Sequence, residues 1–253
     1  MHLLSTHTTT TAADALDGAN VAIVPTGSTE QHGPALPLGM DFMAGEALAR
    51  SLDRDDVVVL PTIPVGVSEH HRQFHGTLWV TPETFERFVA ETISSMASHG
   101  LRKVVVVNGH GGNSGALQRA ARTLRGEETA FVAPWNWWES VGDLPDELFE
   151  EGGGHADAAE TSMMYHIATE LVRADSLEDA AAGASDSWGT NVHGANVGFD
   201  TLDFSESGAV GDPTQGSPEA GEQLFEHASS ELDALVDWLS DQPFEDLLPR
   251  THK

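Results

Sequence analysis

The sequence predicts an α/β protein built around a mostly parallel central sheet. Short apolar runs without alternation are typical of parallel strands covered on both faces, and segments with helical patterns separate them. The chain has 253 residues, of which 40% are hydrophobic, so it is long enough to bury the core of one such domain. We therefore expect a single domain over residues 1–253, with its core at about residues 20–240.

Four apolar runs are the predicted strands. They occupy residues 21–25, 57–61, 104–107 and 130–134. The first run ends at Thr26-Gly27 and the third at Asn108-Gly109, so each leads into a loop that contains glycine. Binding sites of parallel sheets form in the loops at the carboxyl ends of the strands, and these two loops are where we expect a site.

Helical patterns fill the intervals between the strands and continue after the last one. Thr81 is a suitable N-cap ahead of Pro82, and Gly100 is a suitable end for the same helix. Segment 183–217 lacks periodicity, so we expect a long ordered loop over the site. The threonine run at residues 8–11 is expected to be disordered or to cap a helix. The predicted helices span residues 41–52, 82–99, 113–124, 158–171 and 218–239.

The charge of the chain excludes several classes of partner. Asp and Glu number 40 against 12 Lys and Arg, which gives a formal net charge of -28 at pH 7. Such a surface repels nucleic acid and anionic membranes. Apolar runs fall short of a membrane span, and the first residues do not resemble a signal peptide, so we expect a cytoplasmic protein. An acidic, lysine-poor composition favours a halophilic origin, the alternative being a merely acidic mesophilic protein.

The absence of cysteine limits the chemistry that the chain can perform. Without cysteine there are no disulfides, no thiolate metal ligands and no cysteine nucleophile. Any bound metal would therefore be held by imidazole and carboxylate groups.

The first histidine motif follows the first predicted strand. Glu30 and His32 lie in a loop bounded by glycine and proline, and Asp41 follows at the predicted start of a helix. Carboxylate and imidazole together are a competent ligand set for Zn²⁺ or Mn²⁺. From spacing alone, the alternatives are that Asp41 caps the helix and that the other two are ordinary surface residues.

Two further motifs place histidines among glycines. NGHGGN, at residues 108–113, follows the third strand, and its glycines allow the backbone to approach a ligand closely. His110 is the candidate ligand there, the alternative being a turn that cradles phosphate at a helix N-terminus. In GGGHADAAETS, at residues 152–162, Glu160 is either a ligand or an acid favoured by the helix dipole. His155 precedes it in a turn rich in glycine.

Together these motifs resemble the creatininase family of creatinine amidohydrolases and related formamide hydrolases. The resemblance rests on GSxEQHGPxLPLGxD, NGHGGN and GHAxxxETS, and it extends to GVSEHH, FHGT and GDP. It covers residues 21–221, which is nearly the whole chain. It implies a three-layer α/β/α sandwich and a centre of two divalent metal ions, zinc and/or manganese, with iron as an alternative.

The resemblance also implies a role for particular residues. The metal ligands would be Glu30, His32, Asp41, His110 and Glu160. Asp41 would bridge the two ions. Glu30 and His110 would bind one ion, and His32 and Glu160 would bind the other. His155 matches an acid/base histidine that protonates the leaving nitrogen. Ser68 matches a serine that contacts the substrate.

The chain departs from creatininases proper where those enzymes recognise creatinine. They carry Tyr-Glu where this chain has Gly-Gly at residues 111–112, and Trp-Asp where it has Glu-Gly at residues 151–152. The indole that packs on the creatinine ring is therefore missing from its usual place. Trp135, Trp137 and Trp138 could replace it from a neighbouring loop, but we favour core or subunit packing for them.

The resulting hypothesis is a metal-dependent amidohydrolase that cleaves a non-peptide C–N bond in a small cyclic amide or formamide, using hydroxide activated by two metals. Other substrates within the family are creatinine itself, a formylamino-pyrimidine nucleotide of flavin or deazaflavin synthesis, and a short modified peptide. The phosphate of a nucleotide would need a cation, for which Arg72 is the candidate. A non-catalytic metal-binding homologue is the rival from another class. We expect a small-molecule amide as partner, no nucleic acid or membrane, and a homo-oligomer such as a hexamer.

The charge also generates a prediction about salt. Exposed carboxylates repel one another over a Debye length of about 30 Å at 0.01 M salt but only about 3 Å at 1 M. Folding and assembly should therefore fail together as KCl is withdrawn, and NaCl should act as KCl does. Thermal unfolding and light scattering across a KCl series measure both. A melting temperature and a particle size that stay constant over this range would contradict the halophilic interpretation.

Overall fold

The central sheet contains five parallel strands, as a computed structural model shows for residues 1–150 and 154–252. The strands are β1 (His2–Leu3), β2 (Val21–Thr26), β3 (Val57–Val59), β4 (Lys103–Asn108) and β5 (Phe131–Asn136). Their order is β1-β3-β2-β4-β5, with every neighbouring pair parallel. The four predicted strands are confirmed, and the edge strand β1 was not predicted.

The five predicted helices are confirmed with small changes at their ends. They are α2 (Met40–Ser51), α3 (Pro82–Ser98), α4 (Ser114–Gly126), α7 (Ala158–Ala168) and α9 (Pro218–Asp241). Five shorter helices were not predicted: α1 (Thr9–Asp17), α5 (Trp137–Ser140), α6 (Leu144–Leu148), α8 (Leu177–Ala182) and α10 (Phe244–Leu247). Within residues 1–150 and 154–252, no helix is long and apolar enough to cross a membrane.

Helix ends follow the local signals in the sequence. Thr81 caps α3 by accepting a hydrogen bond from the backbone N–H of Thr84. Gly100 follows the end of α3 with a φ of 94°, a conformation that favours glycine. Thr8 caps α1, and the side chain of Thr11 bonds back to the Thr8 backbone. The threonine run is therefore a helix cap and not a disordered patch.

Alternate residues of the strands face two separate helical layers. Ile23 and Val105 pack with α2, α7 and α9 on one side of the sheet. Val24 and Val106 pack with α3 and α4 on the other side. Every residue of β2 is buried, as expected for a central strand covered on both faces. The predicted three-layer α/β/α sandwich is confirmed.

The start of α2 is pressed directly against the carboxyl ends of two strands. A Cβ atom on Gly109, just after β4, would lie 2.0 Å from the backbone oxygen of Asp41. A Cβ atom on Gly27, just after β2, would lie 2.3 Å from the backbone nitrogen of Phe42. Only glycine allows this approach. The first turn of α2 therefore lies between the two loops that carry the histidine motifs.

Segment 183–217 lies over the carboxyl end of the sheet. It contains a short hairpin of strands β6 (Asn191–Val192) and β7 (Ala195–Asn196), and further on Val210 forms β-bridges with His155 and Ser185. The expected ordered loop over the site is confirmed, with this hairpin as its most regular part.

The contact at Gly109 can be tested by substitution. Gly109→Ala should destabilise the fold by ~1–3 kcal/mol, because the added methyl group forces α2 away from β4. This corresponds to a melting temperature lower by ~2–4 °C for each kcal/mol. Gly126→Ala is the matched control, since a Cβ atom there meets nothing within 4 Å in residues 1–150 and 154–252. Equal melting temperatures for the two variants would contradict this account of how α2 is placed.

Candidate metal centre

The fold brings the five predicted metal ligands together. Glu30 and His32 lie in the loop after β2, and His110 lies in the loop after β4. Asp41 lies in the first turn of α2, and Glu160 lies in the first turn of α7. Four of these residues are at most 4% exposed, and the side chain of Glu160 is 14% exposed. Side chains separated by up to 130 residues of sequence thus converge at one edge of the sheet.

Asp41 lies between two groups of potential ligands. Its Oδ1 atom is 3.1 Å from His32 Nε2, which is itself 3.5 Å from Glu160 Oε2. Its Oδ2 atom is 3.2 Å from His110 Nδ1, which is also 3.2 Å from Glu30 Oε1. Asp41 thus belongs to both groups, one with His32 and Glu160 and one with His110 and Glu30, as expected for the bridging ligand that the family resemblance implies. Ligation itself stays a prediction.

Hydrogen bonds behind the two histidines leave one ring nitrogen of each facing the centre. His32 Nδ1 is 3.2 Å from the backbone oxygen of Glu30, and His110 Nε2 is 2.9 Å from the backbone oxygen of Val67. A carbonyl oxygen accepts and never donates, so both of these nitrogens carry a proton. His32 Nε2 and His110 Nδ1 then face the carboxylates, and they are the nitrogens that could bind a metal ion once deprotonated.

Several buried polar atoms of the cluster fit divalent cations. In the part of the chain that the structure describes, both carboxylate oxygens of Glu30, Asp41 Oδ2 and His32 Nε2 have no hydrogen-bond partner. Burying charged groups without a partner costs several kcal/mol each. Oxygen and imidazole nitrogen donors that converge in this way are suited to zinc or manganese. The residues present therefore fit the two-metal centre that the family resemblance implies.

The carboxylates favour positive charge on two of the histidines, His32 and His110. Burial alone would lower the pKa of His32, but the charges of Asp41 and Glu160 raise it to about 10. Burial alone would raise the pKa of Glu30, but the positive charge of His110 is the main influence that lowers it to about 2. Metal ligands bind in their deprotonated form, so a divalent cation would take the place of these protons.

Glu160 is held by the start of its own helix. Asp157 caps α7 by accepting from the backbone N–H of Glu160 at 2.9 Å. The backbone N–H of Ala156 donates to Glu160 Oε2 at 2.5 Å. Burial raises the pKa of Glu160 to about 8, with His32 opposing the shift and Asp157 adding to it. A neighbouring cation would relieve this cost of burying the charged carboxylate.

His155 also faces the centre, but with a neutral ring. Its Nε2 atom lies 2.8 Å from the backbone oxygen of Gln31. Its Nδ1 atom lies 3.7 Å from Glu30 Oε1 and 4.0 Å from Glu160 Oε2. Burial and the charge of His32 lower the pKa of His155 to about 3. The distances allow metal binding with Glu30 and His32 as well as proton transfer, and the acid/base role stays a prediction.

Ser68 lies behind His110 and away from the cavity. It is fully buried, and its hydroxyl contacts Ser28 Oγ and lies 3.2 Å from His110 Nε2. It is not among the described residues that line the cavity. Its role as a substrate contact stays a prediction, and its contacts in this structure are to the side of His110 opposite the metal ligands.

A cavity of about 700 Å³ opens onto the cluster. One end is formed by the carboxylates and histidines, and the walls are aromatic: Trp137, Trp138, Trp188, Phe199 and Phe204. The ring of Trp188 lies 5.7 Å from that of His70 and 6.0 Å from that of His155. Trp188 was not predicted as a site residue, because it lies in a segment without a motif. Trp137 is only 1% exposed and belongs to the core, as favoured, but it also lines the cavity.

The departures from creatininases proper fall on the cavity wall. Gly111 and Gly112 both line it. A Cβ atom on Gly111 would meet no atom of the described residues within 4 Å, so these residues leave the cavity open where creatininases carry a tyrosine. A Cβ atom on Gly112 would lie 2.2 Å from the backbone oxygen of Val67, so this backbone has no room for a side chain there. Residues 151–152, the other departure, lie outside the described residues.

The fold and the site define a layered α/β protein with a buried histidine–carboxylate centre suited to divalent cations. A family model described as creatinine amidohydrolase matches residues 5–236, and the chain belongs to the creatininase family.

Relatives within the family differ in what they act on. The mycofactocin precursor peptide peptidase of Mycolicibacterium smegmatis is 32% identical over 233 residues, which cover 88% of this chain and 87% of that protein. The creatinine amidohydrolase of Pseudomonas putida is 28% identical over 181 residues, which cover 64% of this chain and 70% of that protein.

Solved structures share the fold. A crystal structure of creatinine amidohydrolase superposes with a TM-score of 0.81 at 23% identity, covering 95% of this chain and 98% of that one. Two further creatininase structures, one described as a mutant of Zn-Zn type and one as Mn, have TM-scores of 0.80 and 0.81 at 24% and 23% identity. Each superposition covers 95% of this chain. It covers 98% of the Zn-Zn structure and 99% of the Mn structure.

The shared position of Asp41 generates a prediction about metal content. Elemental analysis of protein purified without chelator should find two divalent ions per chain. Asp41→Asn should lose both ions, because its carboxylate faces both groups of ligands. Glu160→Gln should weaken one ion only. The exposed residue Asp53 provides the control, and Asp53→Asn should keep the full metal content. A wild-type chain without metal would contradict the prediction.

Proposed function

We propose that this creatininase-family hydrolase cleaves an amide C–N bond at a centre of two divalent ions. The observation that carries the proposal is the set of buried ligand atoms on Glu30, His32 and Asp41 that lack a hydrogen-bond partner among the described residues, with Asp41 between two ligand groups. The descriptions of related structures as Zn-Zn type and Mn support zinc or manganese.

The bound ions and the residues around them would have different roles in the reaction. Bound divalent ions supply Lewis acidity and make water nucleophilic near neutral pH. His155 presents a neutral Nδ1 to the cluster, where it can take a proton and deliver it to the leaving nitrogen of the amide. The backbone oxygen of Gln31 holds the opposite ring nitrogen and so orients the ring.

The substrate is proposed to be larger than creatinine. A cavity of about 700 Å³ lies within the range of ~300–1,000 Å³ found for drug-sized ligands. Gly111 leaves it open, and Trp188 and Phe204 offer an apolar wall. The relative described as a precursor peptide peptidase, at 32% identity, also favours a peptide amide. The sequence-based expectation of a non-peptide C–N bond in a small cyclic amide or formamide stays a prediction to be tested against it.

A phosphorylated nucleotide fits the cavity less well. Among residues 1–150 and 154–252, no lysine or arginine lines it. Arg72, the candidate phosphate ligand, lies 2.7 Å from Asp200 Oδ2 and 3.3 Å from Glu69 Oε1. Its charge is therefore already balanced by two carboxylates. A non-catalytic homologue is also disfavoured, because such a protein would have no need of His155 beside a complete ligand set.

The proposal predicts a substrate preference. Metal-loaded protein in high salt should release amine from short peptides with apolar or aromatic side chains faster than it hydrolyses creatinine or a formamide. Amine release over a panel of these three classes is the measurement. Creatinine or formamide as the best substrate would refute the peptide assignment and support the sequence-based one. Failure to hydrolyse any amide would refute the proposed function.

The role of His155 is checked with the best substrate of that panel. His155→Ala should lower turnover by a factor on the order of 10² or more, because proton transfer to the leaving group is lost. Metal content should not change. The exposed residue His99 provides the control, and His99→Ala should keep full activity. Loss of metal in the His155 variant would show that this histidine is a ligand.

A further inference from the structure

Gln31 connects the centre to two histidines that are not among the five predicted ligands. It lies between Glu30 and His32 in the sequence, and its side chain is 4% exposed. Its Oε1 atom accepts from the backbone N–H of Gly33 at 2.9 Å, and its Nε2 atom donates to the backbone oxygen of Gly208 at 3.0 Å. These two bonds determine which end of the amide is the donor.

The second N–H of Gln31 is directed to His71. Two ring nitrogens lie 2.8 Å from Gln31 Nε2, one on His155 and one on His71. The His155 nitrogen already donates to the backbone oxygen of Gln31 at 2.8 Å, so it carries a proton and cannot accept. His71 Nδ1 is therefore the acceptor. The hydroxyl of Thr201, 2.9 Å from the same nitrogen, can donate to it as well.

A histidine that accepts at Nδ1 carries its proton on Nε2. His71 Nε2 lies 3.4 Å from Glu30 Oε1, and His71 is fully buried. Within the described residues, neither of these two atoms has a hydrogen-bond partner. A metal ligand needs a lone pair on the nitrogen that faces the ion. The tautomer thus leaves on His71 Nε2 a proton that lies near a ligand carboxylate without bonding to it in this structure, and no lone pair for a metal ion.

We propose that His71 is a positioning residue that donates its Nε2 proton to Glu30 and that Gln31 holds it in the required tautomer. This inference rests on the proposed two-metal function and adds a residue that acts through Glu30. A carboxylate offers about four lone-pair sites, so a donor to Oε1 would still leave sites on both oxygens for a cation. Loss of such an outer partner lowers metal affinity or activity ~10–100-fold in other metal sites.

Two substitutions at His71 distinguish the effect of losing the N–H donor from the effect of losing the imidazole ring. His71→Gln keeps an N–H group on a side chain of similar reach, whereas His71→Leu removes it. Competition against a chromophoric chelator measures the affinity of each purified protein for Zn²⁺. We expect Zn²⁺ affinity ~10–100-fold weaker for the leucine variant and within a few-fold of wild type for the glutamine variant. Equal affinity of the leucine variant and wild type, or equal losses in both variants, would overturn the proposal.

The tautomer is measured directly and without any substrate. Nitrogen NMR of protein labelled in its histidines distinguishes protonated from unprotonated ring nitrogens, and the spectrum of His71→Gln assigns the resonance of His71. We expect a protonated Nε2 and an unprotonated Nδ1, and in Gln31→Met a mixture of tautomers. A protonated Nδ1 in the wild type, or a Zn²⁺-bound Nε2, would overturn the inference.

Failure of the inference and failure of the proposed function have different signatures. If the chain binds Zn²⁺ but hydrolyses no amide, the affinities and the tautomer still test the role of His71. If the chain hydrolyses amides but His71 has the other tautomer, only the positioning role is lost. Melting temperatures of the two His71 variants, measured without metal, show whether a loss of affinity reflects unfolding.

Discussion

Three carboxylates buried side by side are the constraint on which the rest of this structure depends. Glu30 and Asp41 are almost completely buried, and Glu160 is nearly so. Like charges in such surroundings oppose folding unless positive charge lies among them. His32 and His110 supply it through raised pKa values, and divalent cations would supply more. The close packing of α2 on the ends of β2 and β4 places Asp41 between the two histidines.

Much of the fold and of the site could be predicted because the signals are local. Continuous valine runs identify β3 and β4, and glycines after strands identify the loops that carry Glu30, His32 and His110. Edge strand β1 could not be predicted, because two residues show no periodicity and pair only through tertiary contact. Trp188 and Gln31 could not be assigned roles, because their partners lie far away in sequence. Gln31 lies between two candidate ligands in the sequence, which indicates that it is close to the site but does not indicate what it does there.

The same centre can serve different substrates when the walls around it change. The ligand cluster is built from strand ends and helix starts, whose geometry the core determines. The walls come from the Gly-Gly turn after His110, from Trp137 and Trp138 after β5, and from segment 183–217. Function therefore resides in the site and its walls rather than in the fold. The negative charge of the chain is independent of the chemistry of this site. The salt dependence and the homo-oligomer expected from the sequence both stay predictions.

The central claim is that Asp41 joins two cation sites formed by histidines and carboxylates from separate elements of the chain. Crystals of the zinc-loaded protein, measured on both sides of the zinc absorption edge, test it most directly. We expect two anomalous peaks per chain, one between Asp41 and the pair Glu30 and His110, and one between Asp41 and the pair His32 and Glu160. A single peak, or two peaks of which one does not touch Asp41, would contradict it.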